Sequence, residues 1–343
     1  MVATVKNTQY KTHHYWKEKM PMTIEYSAVI RTLGRAGDKY QQLLDSLEAQ
    51  TIKPKNVLVY IAEGYPLPKE TIGTERYIFV KKGMVAQRAL SFDEVETEWM
   101  LFLDDDVYLP SNAVEKLFLE LQQYSGQVIA PCTFYNHLQN PKRKLVKYLT
   151  GKEISLFHNK RWGYKVIRTA GFAYNNNPAR PVYESQTNAG PCFLCRKIDF
   201  LSISYADELW LDKTFYALPD DQVMFYKMYK KGLKLLTSYD SGIVHLDAGT
   251  TMQSNPEREC RLVYSEYRNK LIFWHRFIFL PDHNPLSRFM SVLALGYALT
   301  IQFIKCIVYF LIGKSKTAKA FFDGINDAKC YLKSDEYKFL PLI

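Results

Sequence analysis

The sequence predicts an α/β protein built on a mixed, mainly parallel sheet flanked by helices. Three observations carry that expectation. Short runs rich in β-branched and aromatic residues alternate with helix-patterned stretches from residue 26 to about 245, the rhythm of strand–helix units. Several of these runs end in polar or charged residues, namely Arg31-Thr32, Glu63 and Asp104-Asp105-Asp106, and sheets of this class place ligands at the carboxyl ends of their strands. After residue 260 the character shifts to interleaved aromatic and basic residues followed by a long apolar run, so a helical extension is expected beyond the sheet.

Residues 1–22, with Tyr10, His13, His14, Tyr15 and Trp16, lack periodicity and read as a tail. Residues 26–32 read as the first buried strand, 33–38 as a turn with Asp38 as helix N-cap, and the stretch to Gln50 as a helix presenting Leu43, Leu44 and Leu47 on one face. Residues 57–64 and 77–80 are the next strands, 83–90 opens a helix, and the apolar run 99–103 is a buried strand stopped by the acids 104–106 and by Pro110. A helix over 112–124, a strand over 128–131, a helix after Asp220-Asp221 and strands near 233–236 and 241–245 complete the sheet region. The loop-rich stretch 135–190 is long enough to be either an acceptor-side element or lid, or a plain surface insertion. The expected organisation is a tail over 1–22, a main α/β domain over 23–260 containing that insertion, and an extension over 261–343.

The hydrophobic content of 47% supplies ample core. The net charge of +10 points to a polyanionic partner. No nucleic-acid-binding signature accompanies it, and the basic residues thicken at 142–144 and toward the C-terminus, which favours a membrane surface over nucleic acid. Six sparse cysteines make no disulfide framework, and the Cys192/Cys195 pair lacks the partners that a zinc site needs, so these read as buried thiols. No N-terminal signal sequence is evident, and a cytoplasmic setting is expected. Residues 289–312 are almost wholly apolar, interrupted by Gln302 and Lys305 and flanked by Arg288, Lys314, Lys316 and Lys319. Such a segment could cross a bilayer, lie on it or pack as a buried helix.

Three adjacent carboxylates at the end of a buried strand repel one another and resist burial, and a divalent cation is the simplest compensation. A solvated strand-end turn is the plainer alternative. Asp220-Asp221 opening a helix suits the helix dipole, or else supplies a catalytic acid pair.

Taken together, these residues resemble a family 2 glycosyltransferase with the GT-A fold, a Rossmann-like architecture, over about residues 23–250. The resemblance is carried by the strand ending at Arg31-Thr32, Glu63, residues 83–88, Asp104-Asp105-Asp106 as the family's DxD motif, Asp220-Asp221 as its paired acids, and His245 after the last strand. It implies that Arg31, Thr32 and Glu63 lie at the nucleotide's base and ribose, and that Arg88 lies near the pyrophosphate or base. Asp104, with Asp105 beside it, would touch the ribose or donor sugar. Asp106 would bind Mn2+ or Mg2+ with His245 completing the metal shell, and Asp221 would be the general base with Asp220 in support. The implied donor is a nucleotide-diphosphate sugar, a UDP-sugar first, and the implied acceptor a glycan or lipid-linked sugar at the cytoplasmic face of the cell membrane. The extension, with Asp323-Gly324-Ile325, is similar to members that build bacterial surface polysaccharides.

Arg31 stands where many members have Pro, Asp220 where Glu is commoner, and the processive-synthase signature is not evident. Single-sugar addition is therefore expected. Two other readings remain. One is a haloacid-dehalogenase-like phosphatase with Asp104 as nucleophile, although Val107 and Tyr108 stand where that family has a Thr or Ser turn. The other is a membrane-bound sugar-binding protein without activity.

Overall fold

A computed structural model describes residues 24–133, 145, 148, 161–246 and 255–343. The tail expected over 1–22 and, apart from residues 145 and 148, the 135–160 part of the insertion lie outside the described residues.

The main sheet has eight strands in the order β3-β2-β1-β4-β10-β6-β11-β9. These are β1 (Tyr26–Thr32), β2 (Asn56–Ala62), β3 (Glu75–Val80), β4 (Trp99–Asp104), β6 (Val128–Pro131), β9 (Val182–Ser185), β10 (Cys192–Arg196) and β11 (Leu235–Ser238). Pairs β3–β2, β2–β1, β1–β4 and β11–β6 are parallel, whereas β10 runs antiparallel between β4 and β6 and β9 antiparallel on β11. The expected mixed, mainly parallel sheet is the one observed. Short pairs β5 (Val107–Tyr108) with β12 (Val244–His245), and β7 (Tyr164–Val166) with β8 (Phe172–Tyr174), stand outside it.

Alternation along the strands sorts side chains onto two faces. Ala28, Ile30, Val59, Ile61, Leu101 and Leu103 face one way and pack under α1 (Asp38–Glu48) and α2 (Ala113–Gln123), through Leu43, Leu44, Leu47, Leu117 and Leu121. Val29, Leu58, Met100 and Phe102 face the other way, against Phe200 of α3 (Lys197–Leu201) and Val223, Phe225 and Met228 of α4 (Asp220–Lys230). Phe102 stacks on Phe193 with ring centroids 4.4 Å apart.

The C-terminal helices join this second face. α5 (Pro256–Phe273) is capped by Asn255, whose side chain accepts from the Glu257 N–H, and it continues through a π-helical turn, Trp274–Phe279. Ile272, Phe273 and Phe277 are buried in the same core as β4 and α4. α6 (Pro285–Leu311), α7 (Ser315–Lys333) and α8 (Asp335–Lys338) follow, with α7 packed closely on α5: at Gly324 a Cβ would collide with the Tyr264 carbonyl, so only glycine fits there.

Three local expectations change. Residues 83–90 form successive turns and no helix, because the Asp212 carboxylate accepts from the Val85 and Ala86 N–H groups and holds the chain in a tight entry. The N-cap position of α1 is Gly37, at φ +58°, and Asp38 stands in the first turn without a capping bond. Val244–His245 pairs with β5 rather than extending the main sheet.

Candidate active site

The site forms where β1, β4 and β10 meet. Arg31 and Asp104 are directly opposite each other in the β1–β4 register. Their side chains form a two-pronged pair: Arg31 Nε donates to Asp104 Oδ1 at 2.5 Å and Nη2 to Oδ2 at 3.1 Å. The neighbouring Thr32 hydroxyl donates to Asp105 Oδ2 and accepts from the Gly34 N–H. Because β10 is antiparallel, its entry lies at the same sheet edge, and the Asp104 N–H donates to the Pro191 carbonyl at 2.8 Å. That brings Gly190 beside the acids.

Asp106 meets His245 through the β5–β12 pairing, with Nε2 to Oδ1 at 2.9 Å, while the Leu246 N–H donates to the Asp106 carbonyl. Asp220 and Asp221 open α4 at the same place. Arg88, 2% exposed, joins the groups: Nη1 donates to Asp220 Oδ2 at 3.0 Å and to Asp221 Oδ1 at 2.5 Å, and Nη2 to the Gly190 carbonyl at 2.9 Å. Arg88 Nη2 also lies 3.7 Å from Asp104 Oδ1, and Arg31 Nη1 3.9 Å from Asp220 Oδ2. The Gly190 N–H donates to Asp221 Oδ2 at 3.0 Å, an approach that a Cβ at residue 190 would block.

Two arginines thus link three carboxylates from β4 and α4. Burial works to raise Asp104, but the charge and hydrogen bonds of Arg31, with Arg88 beyond, hold it below the usual carboxylate value. Burial pushes Asp105 up to about 6, aided by Asp104 and Asp106 and opposed by the Thr32 hydroxyl. Asp220 is raised by burial and by Asp221 next to it, against the pull of Arg88 and Arg31. The two acids of α4 differ in access: the Asp220 side chain is 7% exposed and that of Asp221 35%.

A cleft of about 520 Å³ opens beside the cluster, and its lining includes Asp104, Asp105, Asp106 and His245 together with Arg31, Arg35 and Lys39. Glu63 stands in the turn just after β2, exposed and outside that lining. The structure therefore gathers Arg31, Thr32, Arg88, Asp104, Asp105, Asp106, Asp220, Asp221 and His245 in one region and leaves Glu63 at its margin. Sequence reasoning missed Gly190, whose signal was a Gly-Pro step just before the apolar run 192–195. It also missed Arg35 and Lys39, basic residues in and after the first strand's turn.

Among the described residues no three His, Cys, Asp or Glu side chains converge as a closed metal cage. Asp106 and His245 nevertheless supply one carboxylate and one imidazole at the rim of the cleft. This open donor set fits a Mn2+ or Mg2+ ion that takes its other ligands from phosphate oxygens and water.

No protein-family model matches the chain, and no curated protein sequence matches it. Solved structures do. A GalNAc-T7 crystallised with UDP, GalNAc and Mn2+ is similar at 13% identity over 75% of this chain and 48% of its own, with a TM-score of 0.46. Residues 1–349 of S. aureus TarS with UDP-GlcNAc are similar at 13% identity over 89% of this chain and 80% of that one, with a TM-score of 0.48. The mannosyltransferase PcManGT of Pyrobaculum calidifontis with GDP-Man and Mn2+ is similar at 12% identity over 96% and 97% of the two chains, with a TM-score of 0.43. The chain spans about half the length of the first of these.

Proposed function

We propose that the chain is a metal-dependent glycosyltransferase of the GT-A, family 2 type. It moves one sugar from a nucleotide-diphosphate sugar, a UDP-sugar first, to a glycan or lipid-linked acceptor with inversion, in polysaccharide synthesis at the cytoplasmic face of a membrane. The observation that carries this reading is the pairing of two acidic centres across one arginine network: Asp104–Asp106 on the cleft, and Asp220–Asp221 at the start of α4.

The division of labour follows from access and charge. Arg35 and Lys39 bring to the cleft positive charge that suits a diphosphate. Asp106 and His245 would hold the divalent cation, which when bound neutralises charge growing on the leaving diphosphate. Asp221 is the more open acid of α4, fixed by the Gly190 N–H and Arg88, and it can take the proton of an acceptor hydroxyl as that oxygen attacks the anomeric carbon. Asp220, buried and bonded to Arg88, acts through its neighbours. A single carboxylate facing the acceptor implies one in-line displacement through an oxocarbenium-like transition state. The phosphatase alternative would make Asp104 the nucleophile, but that carboxylate is locked in a two-pronged pair with Arg31 and is less exposed than Asp221, 23% against 35%.

The test is turnover of a panel of UDP-, GDP- and dTDP-sugars with Mn2+, read as nucleoside diphosphate release with and without candidate acceptors. Release dependent on Mn2+ and abolished in Asp106→Ala supports the reading. Phosphate release from simple esters with no nucleotide-sugar turnover overturns it.

A further inference from the structure

We propose that α6 is an in-plane membrane anchor: it lies along the surface of an anionic bilayer, buried by its outward face, and does not cross it. This deepens the membrane part of the proposed function and needs no part of the sugar chemistry.

Among the described residues α6 is the one helix long and apolar enough to cross a membrane, with a mean hydropathy of 1.8 over its most apolar stretch. Its pattern is inverted relative to a surface helix of a soluble protein. The buried positions are Ser291, Leu295, Gln302 and Cys306, a stripe at spacings of one and two turns that includes polar groups. The outward positions include Leu286, Phe289, Leu293, Ile304, Phe310 and Leu311, between 51% and 77% exposed. Water is a poor solvent for such a face.

Length alone would permit crossing: 27 residues make about 40 Å of helix against about 30 Å of hydrocarbon. The contacts of the inner stripe argue against it, because they fasten α6 to the body along its whole course. At its start Arg168 Nη2 donates to Ser287 Oγ at 3.3 Å, and the Arg288 guanidinium sits 4.3 Å from the Phe279 ring centroid. Midway, Leu295 belongs to the main core. Farther on the Tyr267 hydroxyl bonds Gln302 Oε1 at 2.5 Å, Cys306 packs on Ala318 and Phe321, and just past the end Lys314 pairs with Glu259 at 3.0 Å. Crossing would carry α5 and α7, with Glu259, Arg268 and Asp327, into hydrocarbon, where charged side chains are costly. Lying in the plane buries the outward face and leaves the body in water.

Charge selects the surface. No Asp or Glu occurs from residue 283 to 322, whereas Arg288, Lys305, Lys314, Lys316 and Lys319 do. Lys305, Lys316 and Lys319 are exposed, so their ammonium groups can reach anionic headgroups while their stems stay against the apolar face.

The test uses the full chain with preformed vesicles. In flotation, the protein should bind phosphatidylglycerol-containing vesicles about ten-fold or more tighter than pure phosphatidylcholine vesicles. The double variant Leu293→Glu with Phe310→Glu, at exposed positions, should lose that binding. Two reporters flank α6: His283→Cys and Ser315→Cys, both at exposed positions and each in a Cys330→Ser background. Both thiols should react fully with a membrane-impermeant maleimide added outside the vesicles after binding. Protection of either reporter means that the helix crosses and overturns the proposal. Absence of flotation also overturns it, and light scattering then shows whether a second copy covers the face. Nucleotide-sugar turnover is measured separately, so failure here leaves the transfer reading standing, and the reverse.

Discussion

Asp221 and Asp220 are adjacent in sequence and unlike in circumstance. Asp221 is held by a backbone N–H and one guanidinium nitrogen while a third of its side chain faces solvent, and Asp220 is enclosed. Asp221→Asn is therefore expected to cut transfer about 100-fold or more with donor binding retained, checked by single-turnover kinetics beside calorimetric nucleotide titration. Arg88 has its donors directed at Asp220, Asp221 and Gly190 in a nearly water-free setting. A lysine cannot reproduce that fork. Arg88→Lys should accordingly lower kcat, by about 100-fold if Asp221 shifts on the ångström scale, with the nucleotide affinity little changed. A large loss of nucleotide affinity at preserved kcat would instead make Arg88 a donor contact.

Away from the site, Glu120 on α2 is buried, and its Oε2 has no hydrogen-bond partner among the described residues. Burial pushes it up to about 7, with Asp240 adding to the rise and the Ser238 hydroxyl opposing it. The folded protein then holds this proton at pH values where the unfolded chain has released it. Stability falls as pH rises from the ordinary glutamate range through about 7. Glu120→Gln should flatten that slope, by on the order of 3 kcal/mol across the window, in urea melts at several pH values.

At the scale of elements, α4 carries the acid pair at one end and a buried ionic node on its flank. Glu208, fully buried on the 3-10 turn Tyr205–Lys213, accepts from Lys227 of α4 at 2.9 Å, from Trp210 Nε1 at 2.7 Å and from Arg276 of the π turn at 2.9 and 3.1 Å. Arg276 also donates to the Pro341 carbonyl at 2.9 Å. Burial would raise Glu208, but Arg276 and Lys227 hold it below the usual value. The node ties the helix that begins with Asp220 to the C-terminal helices. Removing Glu208 takes from the buried Arg276 its carboxylate partner, while Lys227 keeps Asp207 at 2.9 Å and the Ser204 carbonyl, so Glu208→Ala should cost about 3 kcal/mol in chemical denaturation. A loss under 1 kcal/mol would mean that water relieves the node.

Over the whole molecule, the strands and helices with strong period were legible from the sequence, and so were the acids at strand ends, because parallel strands collect their termini at one edge. What was not legible came from long-range packing. Residues 83–90 carry a helical pattern, but Asp212, more than a hundred residues away, fixes them as turns. Cys192–Arg196 read only as buried thiols, and nothing local revealed that it enters the sheet centre antiparallel and delivers Gly190 to Asp221. Arg88 resembled a donor contact by its place in the motif order, and only the fold shows it enclosed between the two acid centres. The apolar run 289–312 left three placements open, and the contacts of its inner face are what separate them.

The central claim is that one site couples a diphosphate-holding acid centre to an acceptor-activating one. The most direct measurement is Mn2+-dependent nucleoside diphosphate release from a UDP-sugar by the wild type and by Asp221→Asn, with donor affinity measured on both. The expected result is turnover in the wild type, loss of turnover in the variant, and equal donor affinity in the two. Equal turnover in both proteins, or no nucleotide-sugar binding by either, would contradict it.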